Sequence, residues 1–273
     1  MRPDRPTVRL LVSAEVRQRR RTIASLAVGT FVFLLAIAGT YEAFGGAAGL
    51  GRAFGAQTPS FFSAFAGARD ADIFAPASFV AFGFAHPLFL VLTLTVGIGS
   101  GTASVAGDVE SGRSEMLYTR PLRRTAILDA RVLFWLAAQT AVVTAGVAGS
   151  YLGTRLSPDL HDVGIAAIAR VGTQYMPLAL FLGATSFAAS AFARTRGQAL
   201  GIAIGVSSLT YLVNFIALLW KPLAWTQRLS PFGYYVPLRS VERFDAAAAL
   251  VLIAGTALLL IAARRRLERR DLV

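Results

Sequence analysis

The chain has no cysteine and only two histidines in 273 residues. The first absence removes disulfides, thiol nucleophiles and thiolate metal sites together, and leaves the redox compartment open. His86 lies in an apolar run and His161 in a polar loop, so a histidine metal cluster has no material here. Lysine is nearly missing as well, Lys221 being the single one among 27 basic residues. A Walker-type phosphate loop needs a lysine inside a Gly-rich turn, whereas Lys221 stands in "LLWKPLAW". No nucleotide site of that kind is encoded, and no cofactor is expected in this chain. Other membrane chemistries fail on their motifs. An intramembrane serine protease needs Gly-x-Ser-Gly, and the nearest string is "IGSG" at Ile98–Gly101; a His-Glu-x-x-His zinc motif does not occur. Acidic residues buried at mid-membrane, which a proton-coupled carrier would use, are missing too, since Glu42 and Asp245 fall at the ends of apolar runs.

Charge of either sign is scarce: 15% of residues are charged and 55% hydrophobic, with a mean hydropathy of +0.58. That composition belongs to an all-α membrane protein. The formal charge of +12 would suit nucleic acid only if basic residues shared one folded face. They stand at the ends of apolar runs instead, so no nucleic-acid partner is expected.

A hydrocarbon core about 30 Å thick takes roughly 20 apolar residues in a helix, and that length recurs at about 22–41, 79–101, 132–151, 171–192, 199–220 and 246–263. Six spans in one transmembrane domain covering 1–273 are predicted. The first is not a removable signal, its apolar stretch being too long. With both termini in the cytoplasm, 19 basic residues fall inside and 8 outside, and the positive-inside rule selects that topology. Before the first span, 7–21 carries Val8, Leu11, Val12 and Val16 at helical spacing with arginines on the other faces. This predicts an amphipathic helix in the membrane interface; the plainer alternative is a basic stop for span one. Phe61, Phe62 and Phe65 in the loop 42–78, and Trp225, Tyr234 and Tyr235 before the last span, read as aromatics of the outer headgroup layer.

The segment "GDVESGRSEMLYTRPLRRTAILDAR", 107–131, is crowded with charge between two nearly uncharged runs. A loop that served topology alone would be short, like "ARTRGQ" between spans four and five, and would not place Met116, Leu117, Tyr118, Ile127 and Leu128 in water. Asp108 and Ser111 start a helical turn, Pro121 ends regular helix, and a second short helix is predicted after it. Joined to a membrane helix at each end, the block has the geometry of a lever.

In this order of residues the block resembles the coupling region of prokaryotic ABC-2 type transporter permeases: Glu110, Gly112, Met116 with Leu117, Pro121, Arg124, Ile127 with Leu128, and Arg131. The family usually closes with lysine and places threonine after the glycine, where this chain has Arg131 and Arg113. The six spans, the block after span two and an "LSPF" turn before span six extend the likeness. The resemblance implies a permease half in a prokaryotic plasma membrane, binding no ATP itself. It would pair with a second copy or a homologous permease and be driven, for export, by separate ABC ATPase subunits that bind the ATP and dock on the block. A membrane anchor or assembly factor, or a secondary transporter, is the alternative.

Within the spans, Gly197, Gly201 and Gly205 form a small-residue strip for close helix approach, either at the dimer contact or against a helix of the same chain. Pro87 predicts a kink in span two. His86, Gln139 and Asn214 are the intramembrane polar candidates, read as hydrogen-bonding to neighbouring helices, and Ser186 and Ser190 as bonding within their own.

Overall fold

The computed structural model describes residues 5–55, 60–68, 72–112 and 124–269, with backbone alone at 5–7 and at Arg124. The described residues hold helices and no strand. Among the described residues five helices are long and apolar enough to cross a membrane, and a bent pair makes the sixth if counted as one span. The chain is an all-α, multi-pass membrane protein.

Helix α1 runs unbroken over Arg5–Ala43. Its 39 residues reach about 58 Å at 1.5 Å per residue, nearly twice the hydrocarbon thickness. No break separates 7–21 from span one; those residues continue the same helix. The physical reason is local. No glycine or proline stands between Val8 and Val28, Glu15 pairs with Arg19 one turn on, and Glu15 is also tied to a neighbouring helix.

The connection after α1 begins with Gly45 and Gly46 at φ of 78° and 66°, where a side chain would be strained. It carries α2, Gly46–Phe54, and α3, Ser60–Phe65. The α3 phenylalanines do not simply face headgroups. Phe61 and Phe65 pack on Phe215, with ring centroids 5.5 and 4.7 Å away, while Phe61 remains half exposed.

Span two is broken as Pro87 requires. Helix α4, Pro76–Ala85, meets α5, Pro87–Thr102, at a 43° bend. After a turn comes the five-residue α6, Ala106–Glu110. The second short helix expected in the charged block is instead the start of a long one: α7 runs from Arg124 to Leu156 without interruption. Then follow α8, Ile165–Phe192, α9, Arg196–Leu219, the single turn α10, Pro237–Ser240, and α11, Ala246–Arg269.

Helix α8 is the hub of the bundle and the most buried span, which fits a helix apolar on all sides. Tyr175 on α8 is fully buried, 2.5 Å from the Thr93 hydroxyl on α5 and packed on Phe89 and Tyr235. Helices α1 and α7 lie against each other through Gly146, Gly149 and Gly153: a Cβ on Gly149 would collide with the Phe31 carbonyl, and one on Gly153 would sit 2.6 Å from the Ala38 Cβ.

Candidate functional site at the charged end of the bundle

One end of the bundle collects the N-termini of α1, α7 and α9, the C-termini of α5, α8 and α11, and all of α6. Here the charged block leaves the helices. The structure describes its neck, 107–112 and 124–131; Met116, Leu117 and Pro121 lie outside the described residues, as does the Arg124 side chain.

The neck is locked from both sides. Asp108 on α6 and Arg131 on α7 face each other in a two-pronged pair, Nη1–Oδ2 at 2.6 Å and Nη2–Oδ1 at 3.0 Å. Arg131 Nη1 also donates to the Ser104 carbonyl, and its Nε reaches Glu15 Oε1 on α1 at 3.1 Å. Glu15 Oε2 in turn holds Arg19 Nε at 3.0 Å, and Arg19 Nη1 donates to the Gly99 carbonyl of α5 at 3.3 Å. Asp108 is 1% exposed and Arg131 8%. Two buried charges that share a fork of hydrogen bonds hold a single geometry, because neither tolerates separation from the other.

Further bonds fasten α6. The Ser190 hydroxyl of α8 accepts from Val105 N at 3.0 Å and Ala106 N at 2.9 Å, taking up the donors that open a short helix, and donates to the Thr102 carbonyl at 3.2 Å. Glu110 Oε2 accepts from the Arg196 backbone N–H at 2.6 Å. A carboxylate thus sits on the N-terminus of α9, where the helix dipole favours it. Gly112 has a φ of 69° and open space around it, a turn position suited to glycine.

Of the block residues named from the sequence, Glu110 and Arg131 therefore meet the bundle rather than solvent alone, and Asp108, Glu15, Ser104 and Ser190 join them. Asp108 and Arg131 bracket the block in sequence, which was the available signal. Nothing in the spacing of Glu15 or Ser190 marks them. Ser186 and Ser190 bridge helices instead of bonding only within α8, Ser186 donating to the Gly97 carbonyl at 2.9 Å.

The intramembrane polar residues do not converge. His86 sits at the α4–α5 break, where its Nδ1 accepts from Leu88 N at 3.2 Å, between the rings of Phe33 and Phe82. It caps its own helix and, among the described residues, makes no hydrogen bond to a neighbouring one. Gln139 is fully buried with neither amide atom hydrogen-bonded among the described residues, and Asn214 Oδ1 is likewise without a partner there. The bonds to neighbouring helices expected of these two side chains are absent at those three atoms. Gly201 and Gly205 face open space, and a Cβ on Gly197 would meet only Thr195 Oγ1 at 3.9 Å. Among the described residues the strip is thus not an intrachain contact; α9 packs into its own bundle through Ala199, Ala203 and Ser207.

Two clefts adjoin this end. A polar cavity of about 690 Å³ lies among α1, α5, α6 and α9, lined by Arg19, Ser100, Asp108, Glu110, Arg131 and Arg196 with their neighbours. An apolar groove of about 590 Å³ runs between α5 and α9, past Leu94, Ile98, Leu200, Ile204, Leu212 and Phe232.

Compared with known families, residues 10–272 match the model of a family described as ABC-2 family transporter protein. No curated protein matches the chain.

Proposed function

The chain belongs to the ABC-2 family of transporter proteins, and on that premise we propose that it exports a substrate with energy from a separate ATPase docked on the block 107–131. As a family member it is the membrane component of an ABC transporter. The finer reading has both termini and the block in the cytoplasm of a prokaryote, and two permease copies or homologues pairing through the open α9 face with Gly197, Gly201 and Gly205.

The observation that carries this reading is the neck. Asp108, Arg131 and Glu15 tie α6, α7 and α1 together, and Glu110 adds α9. A push on the block is therefore delivered to several spans as one displacement instead of being absorbed by a flexible loop. Met116, Leu117, Pro121 and Arg124 supply the contact to the ATPase, and Gly112 the turn toward it. Arg131 is a positioning residue in this scheme, since it is buried in the neck. The lone lysine fits a motor on another chain, for Lys221 opens a 3-10 helix at the opposite end of the bundle.

Co-expression with the ATPase subunit tests the assignment. Arg124→Glu, or Met116→Asp with Leu117→Asp, should abolish ATPase copurification while membrane insertion is retained. Normal copurification in both variants would refute docking on the block.

A further inference from the structure

We infer that the cleft between α5 and α9 holds a phospholipid of the cytoplasmic leaflet, its acyl chain in the apolar groove and its phosphate in the polar cavity beneath. The inference takes its orientation from the topology proposed above.

The groove and the cavity share Thr95 and Gly99, so they form one continuous cleft. Along α5 the groove extends from Pro87 to Gly99, about 18 Å of helix, close to one leaflet of a ~30 Å hydrocarbon core. Its upper end coincides with the 43° bend, and its lower end opens on charge. An apolar ligand would not use that charged end. A soluble anion would not use the groove. A lipid uses both.

The cavity offers groups that the protein itself leaves unengaged. Asp108 is matched by the Arg131 fork, and Glu110 sits on the first N–H of α9. The Arg196 guanidinium lines the cavity with no hydrogen bond or ion pair of its own among the described residues. Ser100 is 5% exposed, and its hydroxyl makes no hydrogen bond with the described residues. Three guanidinium groups face two carboxylates around this space. A buried hydroxyl and a free guanidinium are donors suited to phosphate oxygens. A second copy of the chain laid in the groove would cover Ile204 and Leu212 but leave those donors unanswered.

The test uses the permease–ATPase complex purified in detergent, supplied with palmitoyl-oleoyl phosphatidylglycerol or the matching phosphatidylcholine. Retained lipid is counted by native mass spectrometry. The wild type should retain the phosphatidylglycerol, whose phosphate charge is uncompensated, over the phosphatidylcholine, whose own ammonium offsets it, by about five-fold, the worth of one interfacial arginine. Arg196→Gln removes an exposed side chain and should bring that ratio close to one. Ile204→Trp fills the groove from an exposed position and should lower retention of both lipids by a similar factor. Equal retention in the wild type, or retention indifferent to both variants, overturns the inference. So does an Ile204→Trp complex whose permease copies separate while lipid retention is unchanged, which would assign the groove to the second copy. If Ile204→Trp does not assemble, the Arg196→Gln ratio decides. ATPase copurification is read in the same samples: its loss from the wild type breaks the coupling reading, while the lipid counts still decide this one.

Discussion

Arg131 and Asp108 show how a charge can be structural in a membrane protein. Their side chains are 10% and 2% exposed, whereas Asp129 and Arg264, an ion pair at the same end of the bundle, are 38% and 50% exposed. Water screens the second pair and not the first, so the two should answer mutation differently. Arg131→Met takes the two-pronged bond from a buried carboxylate and is expected to cost about 3–5 kcal/mol, against less than about 1 kcal/mol for Arg264→Met. Unfolding of the two variants in one detergent checks the ranking. Replacing Asp108 by Leu along with Arg131→Met should recover much of the loss, since the buried carboxylate is removed together with its fork. A double mutant no better than Arg131→Met alone would show that the fork does not act as a unit. The neck was only partly legible beforehand. A charged residue at each end of a block can be read from a sequence, but whether the two meet depends on how α6 folds back, and Ser190 of α8 decides that from a distant position.

Among the helices, glycines separate internal contacts from open faces. Gly149 presses on the Phe31 carbonyl, while Gly201 has nothing near it. Gly149→Ala should therefore destabilise the fold by about 1–3 kcal/mol through overpacking. Gly201→Ala should change single-chain stability by less than about 1 kcal/mol while weakening the association of two permease copies. Unfolding measurements together with the mass of the detergent complex distinguish the two effects. As the chain has no native cysteine, Gly201→Cys also permits a direct cross-link between copies. The spans and the bend at Pro87 were legible because apolar length and a missing N–H act locally. Which glycines pack was not legible: the regular strip at Gly197, Gly201 and Gly205 faces outward, and the less regular Gly146, Gly149 and Gly153 bind α1 to α7. The length of α1 escaped for a related reason. Arginines end an apolar run, yet they are good helix formers, so the helix continues where the hydrophobicity stops.

In the whole molecule as proposed, an engine on another chain is joined to the bundle through a short ionic neck. That neck gathers α1, α6, α7 and α9, so docking and transmission should be separable. In the proposed reading Met116 and Leu117 govern the first, Asp108 and Arg131 the second. The most direct measurement is the distance between spin labels placed at Ser111→Cys on the two permease copies in the assembled complex, without nucleotide and with ATP trapped. The wild-type neck should shift by more than about 2 Å on trapping, and Arg131→Met should lose that shift while still copurifying with the ATPase. A wild-type distance unmoved by ATP, or a full shift in Arg131→Met, would contradict the account.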